Sequence, residues 1–262
     1  MKSIIQKNHW PISFFLENEK FSFSKNQILN SLSKVDIDEA YSSISNWKNY
    51  SPTPLIELNK LSKELDLNKI FYKDESKRFD LKSFKALGGA YAVEKIAKGN
   101  KDIVVATATA GNHGRSVAWG ARRLGLKCKI FISEFVSEAR GQAMANLGAD
   151  VIKVKGNYEK SLIECIKQSK ENNWQIVQDV AWKDYMLVPK YTMAGYTVMM
   201  KEIINQIKDN QITHMILQVG VGGMAGAMVA GIARYLKEIP ETIAVEPDSA
   251  CLLYTSDAAD DS

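Results

Sequence analysis

The sequence predicts an α/β protein built on parallel sheet. Short runs rich in β-branched residues alternate with helical patterns of about 10–17 residues, the signature of repeated βαβ units with right-handed crossovers. Two of the strands run into glycine-rich turns, and open parallel sheets hold ligands at such turns, beyond the carboxyl ends of their strands. No internal repeat and no low-complexity linker interrupts the alternation.

The first 50 residues are mixed and read as an arm of short helices wrapped on the core. SPTPL, Ser51 to Leu55, cannot continue a helix, because Pro52 and Pro54 lack the amide donor. The alternation begins with the strand KIFYKDE and the helix SFKALGGAYAVEKIAKG, whose apolar positions fall near helical spacing. The strand DIVVATAT, the turn AGNHG and the helix RSVAWGARRLGL follow. Next come the strand CKIFIS and the helix SEARGQAMANLGA, with Gly148 near its end. The strand DVIKVKG precedes the helix NYEKSLIECIKQSKENN, and WQIVQDVA, Trp174 to Ala181, reads as a further strand. A longer helix from about Tyr185 to Asp209 leads to the strand THMILQVG, the turn VGGMAG, the helix AGAMVAGIARYLKEI and the strand TIAVEP.

Composition narrows the function classes. Apolar residues make up 45% and charged residues 24% of the 262, as in soluble globular proteins, and that length fills one large or two modest domains. The net charge of +4 is spread over 34 basic and 30 acidic residues. Only six residues are arginine and no basic block is broken by aromatics, so nucleic-acid binding is a weak reading. No apolar stretch reaches the ~18 residues of a membrane-spanning helix. The start, MKSIIQKNHWPISFF, lacks the apolar core and small-residue cleavage site of a secretory signal. Cys128, Cys165 and Cys251 lie far apart and make no metal spacing, so no metal site and a reduced, cytoplasmic setting are expected. The ending CLLYTSDAADDS breaks the apolar periodicity and is similar to translated read-through of a sequencing-library adapter. Residues 251–262 are therefore expected to be a non-native tail on a C-terminally truncated fragment whose natural sequence ends near Ala250.

Three features carry chemistry. Lys85 sits between Phe84 and Ala86-Leu87, just ahead of Gly88 and Gly89, and opens a run that reads as buried. An unpaired ammonium there is costly. The first glycine turn, TATAGNHG, offers consecutive backbone amides, the hydroxyls of Thr107 and Thr109 and the amide of Asn112 at a helix start, which suits a carboxylate. In the second, QVGVGGMAG, Gly220, Gly222 and Gly223 allow close backbone approach, so that amides would grip a phosphate. Neither turn has the GK[ST] of a nucleoside-triphosphate site, and the second places its last glycine one position too late for G-x-G-x-x-G. Taken singly, a glycine turn is more often tight packing, and a lone lysine more often snorkels to the surface. Together, an amine, a phosphate cup and a carboxylate-gripping turn are what a pyridoxal phosphate (PLP) enzyme requires, with an apolar setting that favours the neutral amine. A nicotinamide-dependent dehydrogenase and a non-catalytic metabolite-binding module are the readings from other classes.

KDESKRFDLKSFKALGGAYA resembles the PLP-lysine region of the diaminopropionate ammonia-lyases, within the fold-type II (tryptophan synthase β-like) superfamily. TPLIEL, AGNHGRSVAWGA, IVQDVAWKDY, ILQVGVGGMAG and VEPD resemble further segments of that family in the same order, so the resemblance covers roughly Pro52 to Ala250. It implies two three-layer α/β/α domains with mostly parallel sheets, incomplete at the C-terminus. Residues 1–91 would be the arm and first part of the large domain, 92–190 the small domain, and 191–250 the second part of the large domain. It implies Lys85 as the cofactor-carrying lysine and Asn112 as partner of the cofactor's 3-hydroxyl oxygen. Gly220, Val221, Gly222, Gly223 and Met224 would cup the phosphate, and Thr109, Ala110, Gly111, Asn112 and His113 would bind the substrate carboxylate. Asp179, placed after a strand, is the candidate acid–base partner, although Asp in such a position is also a common turn residue. The implied reaction is α,β-elimination of 2,3-diaminopropionate to pyruvate and two ammonia, by a homodimer acting on a small amino acid, with an L-serine or L-threonine dehydratase as the alternative. Members of the family carry Asp immediately before GNHG where this chain has Ala110. That Asp is tied to the D-isomer, so a preference for the L-isomer is expected here. The family also continues well past VEP, so little turnover is expected of these 262 residues alone.

Overall fold

A computed structural model of the chain describes residues 24–207 and 211–246. The start of the expected arm, Cys251 and the adapter-like tail lie outside the described residues. The remainder of the arm is two helices, α1 (Lys25–Ser31) and α2 (Lys34–Ser45). Each starts on a capping box, Ser24 with Gln27 and Ser33 with Asp36, in which side chain and backbone satisfy one another's free groups. The proline segment then enters β1 (Leu55–Glu57), followed by α3 (Asn59–Glu64) and β2 (Phe71–Lys73), which pairs antiparallel with β1. A kinked 3-10 segment, Glu75–Asp80, leads towards α4 (Lys85–Ala97). Neither the small antiparallel sheet nor the 3-10 segment was part of the sequence expectation.

From there the predicted alternation is present. It runs β3 (Val104–Ala108), α5 (Asn112–Leu124), β4 (Lys127–Ser133), α6 (Glu138–Ala145), β5 (Asp150–Val154), α7 (Tyr158–Asn172) and β6 (Gln175–Ile176). These strands form one parallel sheet in the order β5-β4-β3-β6. The long helix α8 (Leu187–Ile207) crosses to β7 (His214–Gln218), α9 (Gly223–Tyr235) and β8 (Glu241–Val245), and β7 and β8 pair in parallel.

Two expectations need correction. The strand read over Trp174 to Ala181 is ordered in the ladder only at Gln175–Ile176. Beyond it the Val177 amide still donates to the Ala106 carbonyl (2.8 Å), but the Val177 carbonyl accepts from His113 Nε2 (2.8 Å) and the Gln178 amide donates to the Tyr185 hydroxyl (2.8 Å), so side chains end the strand pairing there. The last glycine turn is also shorter than expected. The helix starts at Gly223, with Gly222 as its left-handed cap (φ 83°).

α8 is the beam of the structure. One core cluster gathers Ile37 and Ile44 of α2, Leu87 and Tyr91 of α4, Met200 of α8 and Ile232 of α9. A second joins Val93 of α4, Val105 of β3, Val117 of α5 and Ile130 of β4. The crossings are close because glycine permits them: a Cβ on Gly120 would lie 2.6 Å from Ala90 Cα, and one on Gly195 would lie 2.5 Å from the Leu87 carbonyl oxygen.

Candidate active site

Lys85 is the first residue of α4, and its Nζ lies 2.6 Å from Asp179 Oδ2. The two side chains, 23% and 15% exposed, meet at the carboxyl end of the four-stranded sheet, although 94 positions separate them in sequence. The rings of Phe84 and Tyr196 flank the amine, each centroid 5.7 Å from Nζ, within the range of a cation–π contact. The backbone here is held as firmly as the side chain. Ser116 Oγ of α5 donates to the Lys85 carbonyl (2.5 Å) and accepts from the Ala90 amide (3.1 Å). The two glycines after the lysine each meet a different neighbour. A Cβ on Gly88 would stand 2.3 Å from Tyr196 Cε1, and one on Gly89 would stand 2.5 Å from Ser116 Oγ.

Burial by itself would raise the pKa of Asp179, but His113 and Lys85 beside it, with the Lys85 hydrogen bond, outweigh it and hold the carboxyl below its ordinary value. Its neighbour Gln178 is buried and fully satisfied. The Gln178 side-chain oxygen accepts from Thr107 Oγ1 (2.7 Å) and the Ala108 amide (3.2 Å), and its nitrogen donates to the Ala108 carbonyl and the Tyr158 hydroxyl (both 2.8 Å). The segment that carries Asp179 is thus pinned to β3, although its sheet pairing has ended.

The first glycine turn opens α5. Thr109 and Ala110 are half-buried, while Gly111 and Asn112 are exposed, and a Cβ on Gly111 would meet nothing within 4 Å. The Gly111 amide donates to Thr109 Oγ1 (3.3 Å), and Asn112 Oδ1 accepts from Arg115 (3.4 Å). His113 turns away from this opening. Only 4% exposed, it donates from Nε2 to the Val177 carbonyl, and its Nδ1 faces Asp179 Oδ2 at 3.6 Å. The second turn reaches the same place through α8. Gly223 and Gly226 stand against Met193 (Cβ positions 4.0 and 3.0 Å from its side chain), one residue after Thr192, whose carbonyl abuts Gly88. A single stretch of α8, Thr192 to Tyr196, therefore touches both the lysine helix and the second glycine turn.

A set of residues that sequence reasoning passed over holds the approach to Lys85. Arg78 and Glu202, each 1% exposed, pair through two 2.8 Å contacts, and Arg78 also binds Glu75 (2.7 Å). Lys73 Nζ reaches Glu202 (2.7 Å), and the Tyr50 hydroxyl donates to the same carboxylate (2.8 Å). Between this network and Lys85 the chain turns through left-handed conformations at Phe79 (φ 47°) and Lys82 (φ 58°), which non-glycine residues adopt only when their surroundings impose it. The available signal was an acidic residue on the apolar stripe of α8, seven positions from Gly195.

An amine set in an aromatic niche, a carboxylate on it, an open turn at one helix start and a glycine cap at another define the class of site. Comparison places the chain accordingly: residues 47–262 match the family described as pyridoxal-phosphate dependent enzyme, and the chain belongs to that family. The diaminopropionate ammonia-lyase of Escherichia coli K12 is 37% identical over 233 residues, covering 79% of this chain. The biosynthetic L-threonine dehydratase of Haemophilus influenzae is 33% identical over 202 residues, covering 76% of this chain and 37% of that protein. The chain spans 57% of the length of the E. coli enzyme. The crystal structure of E. coli diaminopropionate ammonia-lyase in complex with an aminoacrylate-PLP azomethine reaction intermediate superposes with a TM-score of 0.84 at 33% identity, covering 94% of this chain and 67% of that one. The residues present fit the family's cofactor: Gly111 leaves open space over one turn, Gly222 and Gly223 open a 13-residue helix for an anion, and Lys85 supplies the amine.

Proposed function

We propose that this protein carries pyridoxal phosphate on Lys85 and catalyses α,β-elimination of 2,3-diaminopropionate to pyruvate and ammonia. The 2.6 Å contact of Lys85 Nζ with Asp179 Oδ2 carries this reading, because it brings the SFK and QDVAW segments to one point. The 37% identity to the E. coli enzyme supports the choice of substrate.

When bound, pyridoxal phosphate supplies an aldehyde that captures the substrate amine and a ring that withdraws electrons from the α-carbon. The amides of Gly220, Val221, Gly222, Gly223 and Met224 would hold its phosphate, and Asn112 would bind its 3-hydroxyl oxygen. The turn of Thr109, Ala110, Gly111 and Asn112, with the backbone amide of His113 but not its ring, receives the substrate carboxylate. Lys85 Nζ takes the α-proton, and the Asp179 carboxylate beside it stabilises the ammonium that results. The proton of that ammonium can then pass through the Asp179 carboxylate to the departing β-amine. Phe84 and Tyr196 shield the amine from water on its flank.

The same reading assigns residues 1–91 and 191–250 to a large domain and 92–190 to a small one, in a cytoplasmic homodimer. Two separate parallel sheets support the division, and the buried free thiols of Cys128 and Cys165 support a reducing setting. Among the described residues no helix is long and apolar enough to cross a membrane. An L-serine or L-threonine dehydratase would use the same residues on a β-hydroxyl, and the H. influenzae relative favours it as the second reading.

Release by the full-length enzyme of pyruvate from L- and D-diaminopropionate and L-serine, and of 2-oxobutyrate from L-threonine, tests the proposal. The L-diamine is expected to react fastest, because Ala110 offers no group to move a proton on the opposite side. Equal rates for the two isomers would remove the role given to Ala110. Faster turnover of a hydroxy amino acid would move the reading to a dehydratase.

A further inference from the structure

We infer that His113 is a positioning residue for Asp179: its imidazole accepts a proton and pairs with Oδ2 whenever Lys85 no longer offers an ammonium. The inference rests on the proposed reaction only for its use, since the geometry stands without it. One carboxylate oxygen faces two bases. Oδ2 lies 2.6 Å from Lys85 Nζ and 3.6 Å from His113 Nδ1. The tautomer follows from the other side of the ring. The Val177 carbonyl can only accept, so Nε2, 2.8 Å away, carries the hydrogen. A neutral ring therefore turns a bare Nδ1 towards the carboxylate, and Nδ1 is a buried atom without a hydrogen-bond partner. That arrangement is stable only while the lysine ammonium neutralises Oδ2. A proton added at Nδ1 converts the unpaired atom into a donor aimed at the carboxylate.

In the proposed cycle Lys85 is attached to the cofactor or neutral for part of each turnover. Asp179 would then be a buried carboxylate without its cation, which is costly. The other groups facing it cannot replace the charge. Tyr158, Tyr185 and Tyr196 all have pKa values raised, chiefly by burial, and stay neutral. Arg115, on the same helix as His113, is directed to Asn112. His113 remains as the group that can become cationic within reach of Oδ2. The balance is one proton. It leaves Nζ, or enters from solvent, and resides on Nδ1 against the single charge of Asp179, with no other bond changed. Asp179 thereby keeps a proton close by for the leaving amine, and the ring that sequence grouped with the carboxylate-binding turn serves the interior of the site instead.

The chain has three histidines, so the His113 imidazole resonances can be assigned by their loss in His113→Gln. The full chain, free of cofactor, is titrated by NMR as wild type, as Lys85→Ala, and as Lys85→Ala with Asp179→Asn. Removing the ammonium is expected to move the His113 titration upward by about one unit or more, since the nearby carboxylate then acts on it alone. Adding Asp179→Asn should abolish the move. An unchanged titration in Lys85→Ala overturns the inference. Lys85→Met, which keeps the apolar stem, supplies the same comparison if the alanine variant does not fold. This readout needs neither cofactor nor substrate, so it fails or succeeds apart from the proposed reaction. A second measurement is the pH profile of kcat of the full-length enzyme carrying His113→Gln, whose amide can still donate to Val177 but cannot titrate. Loss of one limb with KM little changed is expected, and a profile identical to wild type counts against the inference.

Discussion

An ammonium on the first residue of a helix meets the positive end of the macrodipole, so Lys85 depends on a counter-charge, which Asp179 supplies. Asp179→Asn keeps the shape and removes both that charge and the acid–base function proposed for it. It is expected to lower kcat about 10²–10⁴-fold, the usual contribution of a general acid or base, as read by steady-state pyruvate release. The pH dependence has a definite sign. Because the folded pKa of Asp179 is depressed, the pair is intact above the ordinary carboxylate value of 3.8 and is lost only as pH falls through the depressed value. Protonation of the Asp179 carboxyl, followed by the 13C shift of its carboxyl carbon, should therefore lie below that value. At this scale the sequence exposed Lys85 and both glycine turns, because their residue types and order are local properties. The inward turn of His113 was not legible, since a carbonyl 64 positions away fixes the ring.

At the scale of elements, the contacts of α8 explain the glycines after the lysine. Gly88→Ala would push a methyl into Tyr196 and against the Thr192 carbonyl, at 2.3 and 2.7 Å, and backbone cannot yield as a side-chain tip does. Overpacking of this kind costs about 1–3 kcal/mol, and a lowered denaturant midpoint with weakened cofactor binding is expected. Glu202→Gln acts at the other end of the same segment. It leaves Arg78 with Glu75 as its remaining carboxylate partner and Lys73 with the neutral oxygens of Thr53 and Gln206, and breaking a buried pair in this way costs about 3–5 kcal/mol, measurable by urea unfolding. The strand–helix alternation was legible because hydrophobic period encodes it. The end of β6 was not, because Val177 and Gln178 remain apolar-and-polar in strand fashion while His113 and Tyr185 take their backbone groups. Glu202 was hidden for a related reason: its partners come from a separate segment more than 120 positions earlier.

For the whole molecule, acid is the informative stress. Burial raises the pKa of Asp179 and of Glu202, yet the cations beside each outweigh burial and leave both depressed. Their contribution to stability is present above the ordinary carboxylate range and disappears as pH falls through the folded values, so acid unfolding followed by circular dichroism should have its midpoint below about pH 4. The claim on which the functional reading depends is that Lys85 and the glycine turn at Gly222 hold opposite ends of one cofactor molecule. Borohydride reduction of the protein with pyridoxal phosphate, followed by peptide mass spectrometry, tests it most directly, in wild type and in Gly223→Asp. Gly223 has room for a side chain, since a Cβ there would meet only Met193 Cγ at 4.0 Å, so this variant places a negative charge where the phosphate is proposed to sit without crowding the fold. The expected result is a label on the Lys85 peptide in wild type that is largely lost in Gly223→Asp. A label on another lysine, or one indifferent to Gly223→Asp, would contradict the shared site.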